Sequence, residues 1–101
     1  MSSSTVDTEH VVAIQVQVTE DTLSVELSDG RTISAPLGWY PRLFHGTAAE
    51  RQVWRWIAGG RGIHWPDLDE DISVANLLCG RPSTESQTSF KKWLATRPKK
   101  D

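Results

Sequence analysis

The sequence predicts an α+β domain: a small antiparallel β-meander packed against one main helix, with an edge strand and short C-terminal helices. Three observations carry that reading. Apolar and polar residues alternate through the first third of the chain, the signature of half-buried strands. Thr47-Ala48-Ala49-Glu50 has the form of a capping box, which opens a helix. Short apolar stretches punctuated by glycine and proline then close the chain. At 101 residues there is room for one hydrophobic core.

Residues 1 to 10 are polar and aperiodic and read as a lead-in. The domain proper is expected over residues 11 to 80, with a linker and a short amphipathic basic helix over residues 81 to 101. From Val11 to Val18, Val12, Ile14, Val16 and Val18 fall on one strand face, and Ala13, Gln15 and Gln17 on the other. After a turn at Thr19-Glu20-Asp21, Leu23, Val25 and Leu27 alternate inward against Ser24, Glu26 and Ser28. Asp29-Gly30 signals a two-residue hairpin, because both central positions of that turn favour positive φ. A third strand, Thr32 to Ala35, stops at Pro36.

The apolar face of this meander needs a cover. Leu37, Trp39, Tyr40, Leu43 and Phe44 suit a short or kinked helix, in which Pro41 is tolerated only in the first turn, where its missing N–H costs nothing. The helix opened by Thr47 sets Ala49, Val53, Trp56 and Ile57 on one arc and Arg51, Gln52 and Arg55 toward solvent, and Gly59-Gly60 end it. Ile63 to Trp65 read as an edge strand, because Pro66 has no N–H for a central ladder. Asp71 or Ser73 then caps a helix from Val74 to Leu78. Phe90, Trp93 and Leu94 recur at helical spacing opposite Lys91 and Lys92, and that helix ends before Pro98.

Composition narrows the functions. A formal net charge of −2 provides no global field for nucleic acid or anionic lipid. The single Cys79 excludes an internal disulfide and suits a reducing compartment. No apolar run approaches a membrane span and Met1-Ser2-Ser3-Ser4 opens no signal peptide, so a cytoplasmic location is expected. Asp67, Asp69 and Asp71 alternate like the first ligands of a calcium loop. Its sixth position then holds Ile72 where glycine is required and its twelfth Leu78 where a carboxylate is, so no metal is predicted. His10, His45 and His64 lack zinc spacing. Gly59-Gly60-Arg61-Gly62 follows a helical pattern and lacks the ending of a phosphate loop, so no cofactor is predicted.

His64 lies near several carboxylates, which admits an acid–base role, yet no activated nucleophile is legible around Ser73 or Cys79. The reading is therefore non-catalytic, with an enzyme built around His64 as one alternative. A nucleic-acid-binding regulator is another, using Lys91, Lys92, Arg97, Lys99 and Lys100 interleaved with Phe90 and Trp93. Five tryptophans are many for this length. Trp56 is assigned to the core, Trp65 and Trp93 to contact. The expected partner-binding surface comprises Trp65, Asp67, Asp69, Glu70, Asp71, Phe90, Trp93 and Leu94: an open strand edge, carboxylates to steer a basic partner, and an aromatic anchor. The rival placement docks Phe90, Trp93 and Leu94 on this chain's own sheet or on a second copy, as in a homo-oligomer.

Three runs together resemble the bacterial domain-of-unknown-function family 2442. They are Asp29-Gly30-Arg31-Thr32-Ile33, Trp39-Tyr40-Pro41-Arg42-Leu43, and Gly62-Ile63-His64-Trp65-Pro66-Asp67-Leu68-Asp69-Glu70-Asp71-Ile72-Ser73. The likeness covers about Val12 to Gly80, and the tail beyond Arg81 matches no motif of that family. The resemblance implies a small cytoplasmic α+β domain without established catalytic residues. It also implies a protein partner, since such members often stand beside a small toxin-like protein in a two-gene cassette. Some carry a helix-turn-helix domain after this one, for which this chain has only the short tail. The implied role is antitoxin-like or regulatory.

Overall fold

The computed structural model describes residues 11–97; the lead at residues 1 to 10, and Pro98, Lys99, Lys100 and Asp101 of the tail, lie outside the described residues. The α+β class is as expected, with two three-stranded antiparallel sheets in place of one. The first joins β1 (Ala13–Val18), β2 (Thr22–Leu27) and β3 (Thr32–Pro36) in sequence order. The second joins β4 (Arg55–Ile57), β5 (Gly62–Trp65) and β6 (Glu70–Ser73). Short helices lie between and after them: α1 (Pro41–Phe44), α2 (Ala48–Arg51), α3 (Val74–Leu78) and α4 (Gln87–Ala95).

In the first sheet β2 keeps its expected faces, with Leu23, Val25 and Leu27 all buried. β1 does not. Its register with β2 jumps between Ala13 and Gln15, and the bulge reverses the facing of the residues before it. Ala13 is buried and Ile14 is 57% exposed, the opposite of the expected alternation. The β2–β3 connection also differs from a two-residue turn. Leu27 N–H donates to Arg31 C=O at 2.8 Å, leaving Ser28, Asp29 and Gly30 in the loop, and Gly30 alone there has positive φ, at 93°. A three-residue loop ending on a left-handed glycine restores the strand twist.

Pro41 occupies the first turn of α1, as its fixed φ favours. The capping box forms in full: Glu50 N–H donates to Thr47 Oγ1 at 3.0 Å, and Thr47 N–H donates to Glu50 Oε1 at 2.8 Å. The helix it opens is one turn long, however, and is not the main cover of the sheet. Arg51 is not solvated; its guanidinium donates to the carbonyls of Leu43 at 2.8 Å and Phe44 at 2.7 Å, closing the C-terminal end of α1. The chain then extends into β4, which takes Trp56 and Ile57 out of the expected helix. Trp56 is not core but 37% exposed, against Trp54 at a ring separation of 4.7 Å. β-branched and aromatic residues from Val53 to Ile57 favour a pleated strand once a partner ladder exists, and β5 supplies it.

β5 is accordingly the central strand of the second sheet, not an edge. Pro66 does not interrupt it, because Trp65 pairs with Glu70 as the last rung and Pro66 falls in the turn beyond. One buried cluster draws on both sheets. It joins Leu23, Val25 and Leu27 to Leu37, Tyr40, Leu43, Ile63, Trp65, Ile72, Val74 and Leu77. Leu68 belongs to it although it sits in the β5–β6 turn, and a Cβ on Gly46 would come within 2.8 Å of its Cδ1. The missing side chain of Gly46 is the space Leu68 fills. α3 starts at Ser73, whose hydroxyl accepts from Asn76 N–H at 3.0 Å.

Leu68→Ala is expected to destabilise the protein by about 2 to 5 kcal/mol, as for a core leucine. Ile14→Ser, at the bulge, should change stability by no more than about 0.5 kcal/mol. Denaturant melts of the two variants check both values, and a reversed order would return Ile14 to the core and Leu68 to the surface.

Candidate functional site

The second sheet sorts the acidic segment by face. Directly paired residues share a face and neighbours alternate, so Ile63, Trp65, Glu70 and Ile72 point to the core side. His64 and Asp71 pair on the other side. Trp65 is fully buried, and its indole N–H donates to Arg51 C=O at 3.0 Å. It is a core residue, which removes it from the expected contact surface. Glu70 follows it inward at the end of the strand and is half-buried. Burial first, and then its carboxylate neighbours Glu85 and Asp71, push the Glu70 carboxyl up to about 7 against the opposing pull of Asp71 N–H and Arg42. On the outer face His64 Nδ1 and Asp71 Oδ1 form a short hydrogen bond. Hydrogen bonding to a carboxylate fixes the imidazole orientation, but none of the His64 hydrogen bonds among the described residues reaches a hydroxyl or thiol.

The turn between these strands carries Asp67 and Asp69 into solvent. Asp69 adopts φ 50°, a left-handed conformation that aspartate tolerates better than most residues. Its backbone is held by Arg42, whose Nη1 donates to Asp69 C=O at 3.1 Å, with the Asp69 carboxylate 3.5 Å away. The same guanidinium donates to Glu85 through Nε at 2.9 Å and Nη2 at 2.5 Å, a bidentate pair. Both side chains of that pair are only 13% exposed. The pairing holds the Glu85 carboxyl below its ordinary range and raises Arg42 above its own. The Arg42 guanidinium also lies 5.0 Å from the Trp93 ring centre.

The tail is thereby drawn onto the body. Ser83 N–H donates to Trp39 C=O at 3.0 Å, and Ser86 caps α4 by accepting from Ser89 N–H at 3.0 Å. Arg97 lies 4.8 Å from the Trp93 ring and bonds Glu50 at 2.6 Å. That bond, with the capping-box contacts, lowers the Glu50 carboxyl. Trp93 is half-buried and packed against the core cluster, so it serves the chain's own docking. Phe90 is half-buried and Leu94 exposed. α4 has no fully buried residue. Of the expected surface, then, the structure gathers Asp69, Glu70 and Trp93 around Arg42, pairs Asp71 with His64 on the outer face, leaves Asp67 and Leu94 outward, and withdraws Trp65.

Between β6, α3 and the strap of residues 81 to 86 lies a cleft of about 380 Å³. Tyr40, Arg42, Glu70, Asp71, Arg81 and Glu85 are among its walls. Tyr40 is 3% exposed and its hydroxyl has no hydrogen-bond partner. Burial, and then Glu70, raise the phenol above its ordinary range. Sequence reasoning passed over Tyr40, Arg42 and Glu85. The first two stood inside the run Trp39 to Leu43, and Glu85 sat in a polar stretch with no periodic signal. Among the described residues no cluster of three or more histidine, cysteine, aspartate or glutamate side chains can hold a metal ion. No helix there is long and apolar enough to cross a membrane.

A sequence model of the family described as "Protein of unknown function (DUF2442)" matches residues 13–83, from the start of β1 into the strap. Two solved structures are similar. One is a protein of unknown function from Rhodospirillum rubrum ATCC 11170, 22% identical, with a TM-score of 0.66 over 77% of this chain and 96% of that one. The other is an uncharacterized protein from Chromobacterium violaceum, also 22% identical, with a TM-score of 0.64 over 86% of this chain and 76% of that one. At this identity the likeness is one of fold. No curated protein matches the chain.

The raised Glu70 makes a pH signature. Below about pH 4.5, its ordinary value, Glu70 is neutral whether the chain is folded or not. Between there and about 7 the unfolded chain loses the proton first, so stability drains away as pH rises. Glu85 and Glu50, both lowered, act oppositely, and their contribution is lost as pH falls below the ordinary carboxylate range. Glu70→Gln should therefore raise stability at pH 8, by up to roughly 3 kcal/mol, and change little at pH 5. Thermal melts at the two pH values check it; an equal effect at both would mean that Glu70 titrates as a surface carboxylate.

Proposed function

The chain belongs to the DUF2442 family, and from that premise we propose that it is a non-catalytic protein-binding or regulatory module of the cytoplasm, the antitoxin-like partner of a small toxin. One observation carries this reading. The tail helix is fastened by ion pairs and by Trp93, and apolar side chains are left on the surface around it. Phe44 is 49% exposed and Leu94 39%. Phe44, His45, Phe90 and Trp93 form a continuous ring-to-ring series at centroid separations of 5.4, 5.2 and 5.8 Å. An apolar strip with a carboxylate at its border, here Asp69 beside Trp93, has the composition of a protein interface, with a water-excluding centre and a charged rim. The rim would steer a basic partner and weaken with salt.

Nucleic-acid binding through the tail is the second reading, favoured by Lys91 and Lys92, both exposed on α4. It has less to draw on, because Arg97 is already committed to Glu50. Lys99 and Lys100 lie outside the described residues.

The test is titration of this chain with the product of the adjacent gene. Phe44→Asp and Leu94→Asp should each weaken that association at least tenfold without lowering the melting temperature. Trp93→Ala should lower the melting temperature itself. Absence of association, with DNA binding that falls steeply with salt, would replace this reading with the second.

A further inference from the structure

Two groups on the cleft beside β6 are left without the partners their chemistry calls for. The Tyr40 hydroxyl is buried against its wall without a partner. An unpaired buried hydroxyl costs free energy that a ligand can recover. Glu70 takes Asp71 N–H on Oε1 at 3.2 Å, and no cation stands within ion-pair distance of it among the described residues. Arg42, the nearest, is spent on Glu85 and the turn carbonyls.

We propose that this cleft is a receptor for one organic cation, the guanidinium or ammonium group of an arginine or lysine side chain on the protein partner. The proposal rests on the protein-binding reading above and specifies its chemistry. Such a cation would pair with the Glu70 carboxylate and offer a spare N–H toward the Tyr40 oxygen, which is buried in the same wall without a partner. An anion would satisfy only the Tyr40 proton and would meet Asp69, Glu70 and Asp71. Four acidic residues and two arginines line the cleft, and Arg42 is already engaged by Glu85 and, at 3.5 Å, by the Asp69 carboxylate, so the balance of charge there is negative. Arg81, exposed in the strap, sets one wall positive and so orients the incoming group toward Glu70. A volume of about 380 Å³ suits a side-chain head group with its ordered water.

Capture is coupled to protonation. The groups facing Glu70 are Tyr40 and Arg42 from α1 and its cap, Asp69 and Asp71 from its own hairpin, and Arg81 and Glu85 from the strap. A bound cation adds an opposite charge at ion-pair distance, which neither Arg42 nor Arg81 supplies, so it draws the Glu70 carboxyl back down toward its ordinary range. Binding accordingly weakens as pH falls through about 7, where Glu70 takes up its proton.

The experiment titrates the full chain with acetyl-Gly-Arg-Gly-amide, with the lysine analogue, and with the citrulline analogue as the neutral isostere. It follows backbone amide resonances of residues 69–73 and 81–85 and the Glu70 carboxyl carbon. The arginine or lysine peptide is expected to shift those amides saturably and lower the Glu70 pKa by about one unit or more. Its affinity should drop about tenfold between pH 8 and pH 6. Tyr40→Phe, which removes only the orphan oxygen and should leave the melting temperature equal or higher, is expected to weaken binding at least fivefold, as is Glu70→Gln. Equal shifts with the citrulline peptide, or none with any of the three, would overturn the assignment. The titration requires no partner, so such a result beside intact association with the neighbouring gene product would reject the cleft alone. A positive titration without that association would reject the proposed function alone.

Discussion

The Arg42 guanidinium has three tasks, and the chain around it is arranged so that one side chain can do them all. It neutralises Glu85 in the strap, accepts the burden of the turn carbonyls at Leu68 and Asp69, and lies over the Trp93 ring. Only arginine offers a planar fork of donors with a face free for stacking, and a lysine ammonium would have to choose among these partners. Pro41 contributes by fixing the start of α1, which sets where Arg42 leaves the backbone. The arrangement joins two elements remote in sequence to one hub. Since both members of the Arg42–Glu85 pair are largely withdrawn from water, removing one would strand the other.

The same geometry explains why Glu70 is unusual. The hub consumes the available positive charge on Glu85, while the β5–β6 register turns Glu70 toward the core side opposite Trp65. A carboxyl with little water and no cation at ion-pair distance holds its proton into the neutral range. Its stability cost at higher pH is the kind of local penalty found where a surface is kept ready for something else. Leu68, buried from within the same turn, anchors that turn to the core.

Much of this was legible in the residues, and the failures have physical causes. The alternation of β2, the capping box and a polar cap at the start of α3 all act locally, so sequence order reveals them, though it left that last cap open between Asp71 and Ser73. The bulge at Ile14 was hidden because one extra residue reverses facing without disturbing the composition of the strand. The stretch from Val53 to Ile57 satisfied both periods, and only the distant ladder with β5 decides for a strand. Pro66 was read as breaking a strand that in fact ends one residue earlier. The site itself was half legible. Asp69, Glu70 and Asp71 stood out as a carboxylate run, but their opposite fates depend on cross-strand register. The Arg42–Glu85 pair spans 43 residues, a separation across which no local pattern can signal.

Hydrogen exchange on Arg42→Lys tests the hub most directly. If the guanidinium fastens the tail, the amides of α4 should lose protection by at least tenfold while those of β2 and β5 keep theirs. Unchanged protection in α4 would contradict the account, and so would an equal loss across both sheets, which would make Arg42 one more contributor to global stability.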